Sequence, residues 1–309
     1  MTVYTEIDKI QYDPNSVLTV GTFDGLHRGH KEILQIVKRQ AIALGCRSVV
    51  VTFDPHPRLV LDKKSKIKML STLEEKKALF ESEGIDVLVI LPFNEEFAQQ
   101  TSEEFFEKYL IGRIGLQEII VGYDHRFGKG RDGDEDTIRD IATKYKFSCK
   151  HVPAVQMNGL TISSTLIRNF LKSGYVKAAG EYLGHNYEMN GRVIEGARRG
   201  RTINFPTANI GLEDKNKLVP GYGVYAVLVR VDGTEKKGVM NIGIRPTFDE
   251  TPVEHFEVHI IDFNKDVYGK EISVTFIERI REEKKFSSIE ELQSQIAADK
   301  ALAMKILGN

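Results

Sequence analysis

The stretch VGTFDGLHRGH, Val20 to His30, decides how the first half of this chain is read. It joins the apolar run SVLTVGTF to a helix-like segment, and it spaces Gly21, Gly25 and Gly29 four residues apart and His27 and His30 three apart. A strand that runs through glycines into a helix starts a βα unit, and such sheets bind ligands beyond the carboxyl ends of their strands. Glycine lets the backbone approach phosphate oxygens without a Cβ in the way, and a helix start offers unpaired N–H groups and the positive end of the dipole. The spacing fits neither GxGxxG nor a P-loop, because no Lys-Ser/Thr pair follows. His27 and His30 stand instead, with both rings on one face of the first helical turn. On the residues alone three readings are open. The pair could bind a metal with Asp24, could comprise a loop cap beside an exposed histidine, or could donate to a nucleotide phosphate whose charge grows during transfer. The glycines favour the third.

Outward from this stretch, SVVVTF, IDVLVILPF, EIIVGYD and FSCKHVPAV read as further strands alternating with helices. Leu34, Val37, Ala41 and Leu44 form an apolar helix face that Gly45 stops, and a capping box of Ser71 and Glu74 opens a helix that ends at Gly84. Nearly continuous apolar strands between helices indicate a doubly wound, Rossmann-like α/β domain with a parallel sheet. After about Gly184 the texture changes. EMNGRVIEG, TANIGL, GVYAVLVRVDG, KKGVMNIGI, EHFEVHIIDF and EISVTFIERI follow one another without helices, and Asp232-Gly233 marks a hairpin turn. This predicts a six-stranded antiparallel barrel, closed or nearly so. FSSIEELQSQIAADKALAMKILGN reads as a C-terminal helix on the barrel, with a capping box at Ser287 and Glu290 and a stripe of Ile289, Leu292 and Ile296. The expected domains are residues 1–183 and 184–309.

The chain of 309 residues carries 43 basic and 44 acidic side chains, so no global field favours a polyanion and nucleic acid is excluded as a first expectation. Cys46 and Cys149 form neither a CxxC pair nor a framework, which suits free, buried thiols in a reducing compartment. No basic segment precedes an apolar core at the N-terminus, and no stretch has the roughly 18 apolar residues of a membrane span. A cytoplasmic protein without a membrane partner is expected, as a monomer or weak homo-oligomer. The basic run KKSKIK, Lys63 to Lys68, reads as a solvated loop that could help collect phosphorylated substrates.

Five segments carry a family resemblance. GTFDGLHRGH resembles the HxGH signature of nucleotidyltransferases, and VVTFDPHP, VGYDHRFGKGRDGD and ISSTLIRNFL follow in the order found in the FAD synthetase module of bacterial bifunctional riboflavin kinase/FAD synthetases. GARRGRTINFPTANI, Gly196 to Ile210, resembles the PTAN signature of riboflavin kinases. The resemblance implies two reactions. Riboflavin is phosphorylated by ATP in the barrel, and FMN then attacks the α-phosphate of ATP in the α/β domain, giving FAD and pyrophosphate.

For the first site the resemblance implies that His27 and His30, with Gly21, Phe23, Gly25 and Gly29, meet the ATP phosphates. Ser163, Ser164, Thr165 and Arg168 close over them, although Ser164 and Thr165 also read as ordinary helix caps. His56, Asp124 and Arg126 line the FMN side, Asp124 through magnesium. For the second site it implies Gly196 and Arg201 on ATP, with Arg192, Arg198 and Arg199 adding charge nearby. Thr207 and Asn209 hold Mg2+ and ADP, Asn241, Arg245 and Thr247 lie near flavin and nucleotide, and Glu257 is the catalytic base. Alternation sets Phe256, Val258 and Ile260 on one face and Glu257 and His259 on the other, so a surface glutamate is the bland alternative. Leu166, His125 and Asn204 depart from the family pattern. They keep open a transferase for another phosphorylated substrate, or a flavin sensor with one inactive site.

Overall fold

In the computed structural model, the apolar runs of the first half lie side by side in one parallel sheet. The structure describes every residue except 63, 65, 124–127, 132, 196–204, 246–252, 264 and 309. The chain divides into two compact units, Met1–Ser164 and Thr165–Asn309.

The first unit contains β1 (Thr2–Tyr4), β2 (Ser16–Val20), α1 (Arg28–Leu44), β3 (Arg47–Asp54), α2 (Pro57–Leu61), α3 (Leu73–Ser82) and β4 (Val87–Pro92). It continues through α4 (Ser102–Phe105), which runs on as a wider π-type turn over Phe106–Ile114, then β5 (Glu118–Gly122), α5 (Glu135–Tyr145), β6 (Ser148–Val152) and a small ribbon of β7 (Gln156–Met157) and β8 (Leu160–Thr161). The sheet order is β1-β4-β3-β2-β5-β6. The chain leaves β2 toward β3 and β4, then returns to the other side of β2 for β5. That reversal is a topological switch point, and VGTFDGLHRGH leaves the sheet there. Val17, Leu18, Val49, Val50, Val51, Ile119, Ile120 and Val121 are all fully buried, as strands covered on both faces require.

Three local expectations shift. Leu44, placed on the buried face of α1, is 45% exposed, because it is the last residue before the left-handed Gly45 turns the chain away. The cap of α3 is Thr72 with Glu75, one residue beyond Ser71 and Glu74, since the Ser71 hydroxyl and amide are already engaged by Gly25 and Asp24. Cys46 and Cys149 are free thiols but only half-buried, and burial together with Glu135 pushes the Cys149 thiol up to about 11.

The second unit opens with α6 (Ser164–Lys172, its first residue being the last of the first unit) and α7 (Val176–Leu183), followed by β9 (Glu188–Ile194), β10 (Ala208–Gly211), β11 (Gly223–Val231), β12 (Thr234–Arg245), β13 (Val253–Ile260) and β14 (Glu271–Arg281). The six strands close as β10-β13-β12-β11-β14-β9, antiparallel throughout, so the barrel leaves no open sheet edge. Asp232 and Gly233 join β11 to β12 with φ of 50° and 70°, the left-handed pair a two-residue hairpin needs. Tyr225, Met240, Ile242, Val258, Val274 and Phe276 fill the interior.

The C-terminal helix α8 (Ile289–Ile306) packs on Val224, Ala226, Val239 and Ile261 through Ala303. Its cap is Ser288 with Glu291, again one residue later than expected, and Ile289 is 61% exposed. The anchor is polar. Asp299, 3% exposed, takes three bonds from the Arg281 guanidinium at 2.8 to 3.1 Å and a fourth from Gln295. Removing one partner of a buried pair strands the other charge, so Asp299→Ala should cost about 3 kcal/mol in urea unfolding of the full chain. A change within about 0.5 kcal/mol, the range of an ordinary surface substitution, would show that the pair does not anchor α8.

Candidate active sites

The first site is built on the turn between β2 and α1. His27 caps the helix: its Nδ1 accepts the His30 amide at 3.3 Å. A ring nitrogen that accepts carries no proton, so a neutral His27 bears its hydrogen on Nε2, which is then a donor. The His27 and His30 rings stack with centroids 3.6 Å apart at 16°, and Phe23 meets His30 edge-on at 5.1 Å. The motif therefore satisfies the capping reading and supplies an imidazole donor at the same time; His27 is buried and His30 half-buried.

The three glycines have separate causes. A Cβ at Gly21 would lie 3.0 Å from the Phe23 ring, and one at Gly29 would lie 3.2 Å from the His27 ring. Gly25 has φ of 79°. Phe23 and Leu26, with φ of 47° and 37°, hold the left-handed region without being glycine, at roughly 1–3 kcal/mol each. The amides of Gly21 and Gly25 are engaged by Val51 O and Ser71 Oγ, so the anion-facing part of this turn is the start of α1.

The Asp24 side chain is engaged by the approach to α3. Its carboxylate is 2% exposed and accepts from Leu70 N at 2.9 Å, Ser71 N at 3.1 Å and Ser71 Oγ at 3.4 Å. From the later motif, the Ser164 hydroxyl donates to Asp24 O at 3.0 Å, which brings Ser164 onto the turn. Ser163 is half-buried, Thr165 is exposed and Arg168 is 7% exposed on α6. His56 follows the cis Asp54–Pro55 bond and caps α2, its Nδ1 accepting from Arg58 N at 3.1 Å. Asp124, His125 and Arg126 lie outside the described residues.

One feature here escaped the sequence reading. Phe53, Phe93 and Phe97 form a triangle of half-buried rings, with centroids 5.5 to 5.8 Å apart, at the carboxyl ends of β3 and β4. Their spacing in the chain is irregular, and only the parallel pairing of β3 with β4 gathers them.

The second site is a row across the barrel wall. Glu257 on β13 pairs in register with Asn209 on β10 and with Asn241 on β12. Directly opposed residues stand about 5 Å apart at Cβ and point the same way. Val258 is fully buried and Glu257 half-buried, so the row occupies the face turned away from the interior. Along the same face His259 Nδ1 bonds Pro206 O at 2.8 Å, and Phe205 meets the His259 ring edge-on. That contact fixes the start of FPTAN beside Glu257. On the other side, His255 Nε2 lies 3.4 Å from Asn241 Nδ2. Thr207 is half-buried, two residues before Asn209. Gly196, Arg198, Arg199, Arg201, Asn204 and Thr247 lie outside the described residues, as does the side chain of Arg245; the Arg192 side chain pairs with Glu213 and Glu271.

Comparison with known proteins follows the same division. A family model for FAD synthetase matches residues 9–166, and one for riboflavin kinase matches residues 183–307. The bifunctional riboflavin kinase/FMN adenylyltransferase of Bacillus subtilis (strain 168) is 41% identical over 95% of this chain and 93% of its own. The Escherichia coli (strain K12) protein of that name is 36% identical over 94% and 93%. A crystal structure described as a macrolide-efflux protein from Streptococcus pneumoniae has a TM-score of 0.89 at 32% identity and covers 97% of each chain. No described helix here is long and apolar enough to cross a membrane.

Fold and motifs together define a flavin nucleotide transferase with two catalytic domains. The chain belongs to the bifunctional riboflavin kinase/FMN adenylyltransferase family. It forms FMN from riboflavin and FAD from FMN, with ATP as the co-substrate.

Proposed function

We propose that residues 1–183 carry adenylyl transfer and residues 184–309 carry riboflavin phosphorylation, each through the residues gathered above. The observation that supports this best is the row of Asn209, Glu257 and Asn241, three motif residues from three strands set side by side by the register. Glu257 orients the ribityl hydroxyl and takes its proton as the hydroxyl oxygen attacks the γ-phosphorus of ATP, whose bond to the β-phosphate oxygen breaks as ADP leaves. Asn241 and Arg245 lie on the flavin side, and Gly196 and Arg201 on the ATP side.

Thr207 and Asn209 offer neutral oxygens, the hard donors that Mg2+ accepts. No cluster of three acidic, histidine or cysteine side chains able to hold a metal occurs among the described residues. A magnesium ion that keeps its waters and rests on phosphates and one or two protein oxygens suits such a site. When bound, it would neutralise phosphate charge. Thr207 and Asn209 position it.

In the first domain, an FMN phosphate oxygen attacks the α-phosphorus of ATP and pyrophosphate leaves. His27 Nε2–H and His30, at the start of α1, donate to the phosphate oxygens as charge moves onto them. Gly21, Phe23, Gly25 and Gly29 shape that turn, and Ser163, Ser164, Thr165 and Arg168 hold the triphosphate. His56, Asp124 and Arg126 meet FMN, whose ring packs on Phe53, Phe93 and Phe97.

The proposal is tested by magnesium titration of the two reactions. Thr207→Val should raise the Mg2+ concentration needed for FMN formation by roughly tenfold, the size of one hydrogen bond or ligand contact. FAD formation from supplied FMN should keep its own Mg2+ dependence. An unchanged titration of FMN formation would remove Thr207 from the metal site.

A further inference from the structure

Behind the His27 turn lies a charged side chain that belongs to none of the motifs. Lys76, on α3, is 6% exposed, and its Nζ stands 3.5 Å from the carbonyl oxygen of Thr22. Thr52 Oγ1 donates to the same oxygen at 3.4 Å. From the elements packed against α3, the charged groups that face Lys76 are Asp24, in the turn after β2, and Asp54, at the end of β3. Filling space needs no ammonium, and burying one is costly unless it is paired and hydrogen-bonded.

The backbone that Lys76 reaches is the strained one. Phe23 and Leu26 keep positive φ while buried, and such conformations persist only where their surroundings over-determine them. Much of that surrounding comes from α3 and the segment that leads into it. Leu70 N and Ser71 N hold the Asp24 carboxylate, Ser71 Oγ accepts the Gly25 amide, and Lys76 reaches the Thr22 carbonyl. The turn is therefore pinned at residues 22, 24 and 25 by α3 and its approach.

We propose that Lys76 is a positioning residue for adenylyl transfer, its ammonium holding the Thr22 carbonyl between Asp24 and Asp54 so that His27 and His30 keep their places at the start of α1. The inference rests on assigning adenylyl transfer to that turn. Two effects set its charge: burial lowers the Lys76 pKa, and the two carboxylates raise it, with burial the larger. The sign follows. The ammonium is lost at a lower pH than that of an ordinary lysine, so FAD formation should decline as the pH rises and Lys76 deprotonates.

The test uses the full chain with Lys76→Met, Lys76→Arg and His27→Asn, and FMN formation by the same preparations as the control. Lys76→Met should lower kcat for FAD formation by roughly 10- to 100-fold, the effect of a small displacement of catalytic groups, with KM for ATP changed by less than about threefold. Lys76→Arg should recover most of kcat and move the alkaline limb to higher pH, because a guanidinium does not deprotonate in this range. An unchanged kcat in Lys76→Met, or an alkaline limb in Lys76→Arg where the unaltered protein has it, would overturn the proposal. Should Lys76→Met lose its cooperative unfolding transition, the Lys76→Arg pH profile decides alone. His27→Asn separates the two failures. If it leaves FAD formation intact, the assignment of the turn is wrong; if it abolishes FAD formation while Lys76→Met has full kcat, only the role of Lys76 is wrong.

Discussion

Replacing His27 and His30 together by alanine is expected to lower FAD formation from supplied FMN by about a thousandfold or more, with riboflavin phosphorylation held within about twofold. A single preorganised donor to a developing charge contributes about 10²–10³ in rate, and this turn presents two stacked imidazoles. The capping bond complicates His27→Ala, because losing an N-cap acceptor costs about 1 kcal/mol in stability. His27→Asn resolves the ambiguity. Asparagine caps helices well, so it keeps the acceptor for the His30 amide and removes the Nε2 donor. The expected result is an unfolding midpoint near that of the unaltered protein together with most of the rate loss. Full activity in the alanine pair would mean that the turn is a helix cap and nothing more.

Glu257→Gln should have the converse effect. FMN formation is expected to fall by about 10²–10⁴, the contribution of a positioned general base, while FAD formation from supplied FMN continues. The change is nearly isosteric, and the in-register neighbours Asn209 and Asn241 are neutral. A glutamate that only decorated the barrel surface would tolerate glutamine without loss. Separate assays of the two half-reactions in both variants show whether the sites act independently. Loss of both activities in either variant would refute the division between the domains.

Much of this organisation is legible in the sequence, because the strongest signals are local. Apolar runs of β2 to β6 and the six strands of the barrel stand out by composition, and Asp232-Gly233 announces its own turn. What escapes is decided at a distance. Three-residue β1 is too short for any period to show, and only its place beside β4 makes it a strand. Both helix caps shift by one residue, and in α3 the Ser71 amide is taken by Asp24, 47 residues earlier in the chain. The sequence points to Ile289, Leu292 and Ile296 as the seat of α8, yet the buried anchor is Asp299, whose partner Arg281 lies on another element. Lys76 is invisible for the same reason. In TLEEKKAL it stands beside Lys77, and nothing nearby says which lysine turns inward.

Asp24 also bears on the order in which the chain becomes competent. Its carboxylate binds amides of residues 70 and 71, and its carbonyl accepts from Ser164, 140 residues later. Contacts so distant in sequence form late, after the entropy of closing long loops has been overcome. A nascent chain that has released the HxGH segment from the ribosome thus holds the histidines but not the frame around them. The turn before α1 should mature only once Ser164 has emerged, well after the strand and helix that flank it.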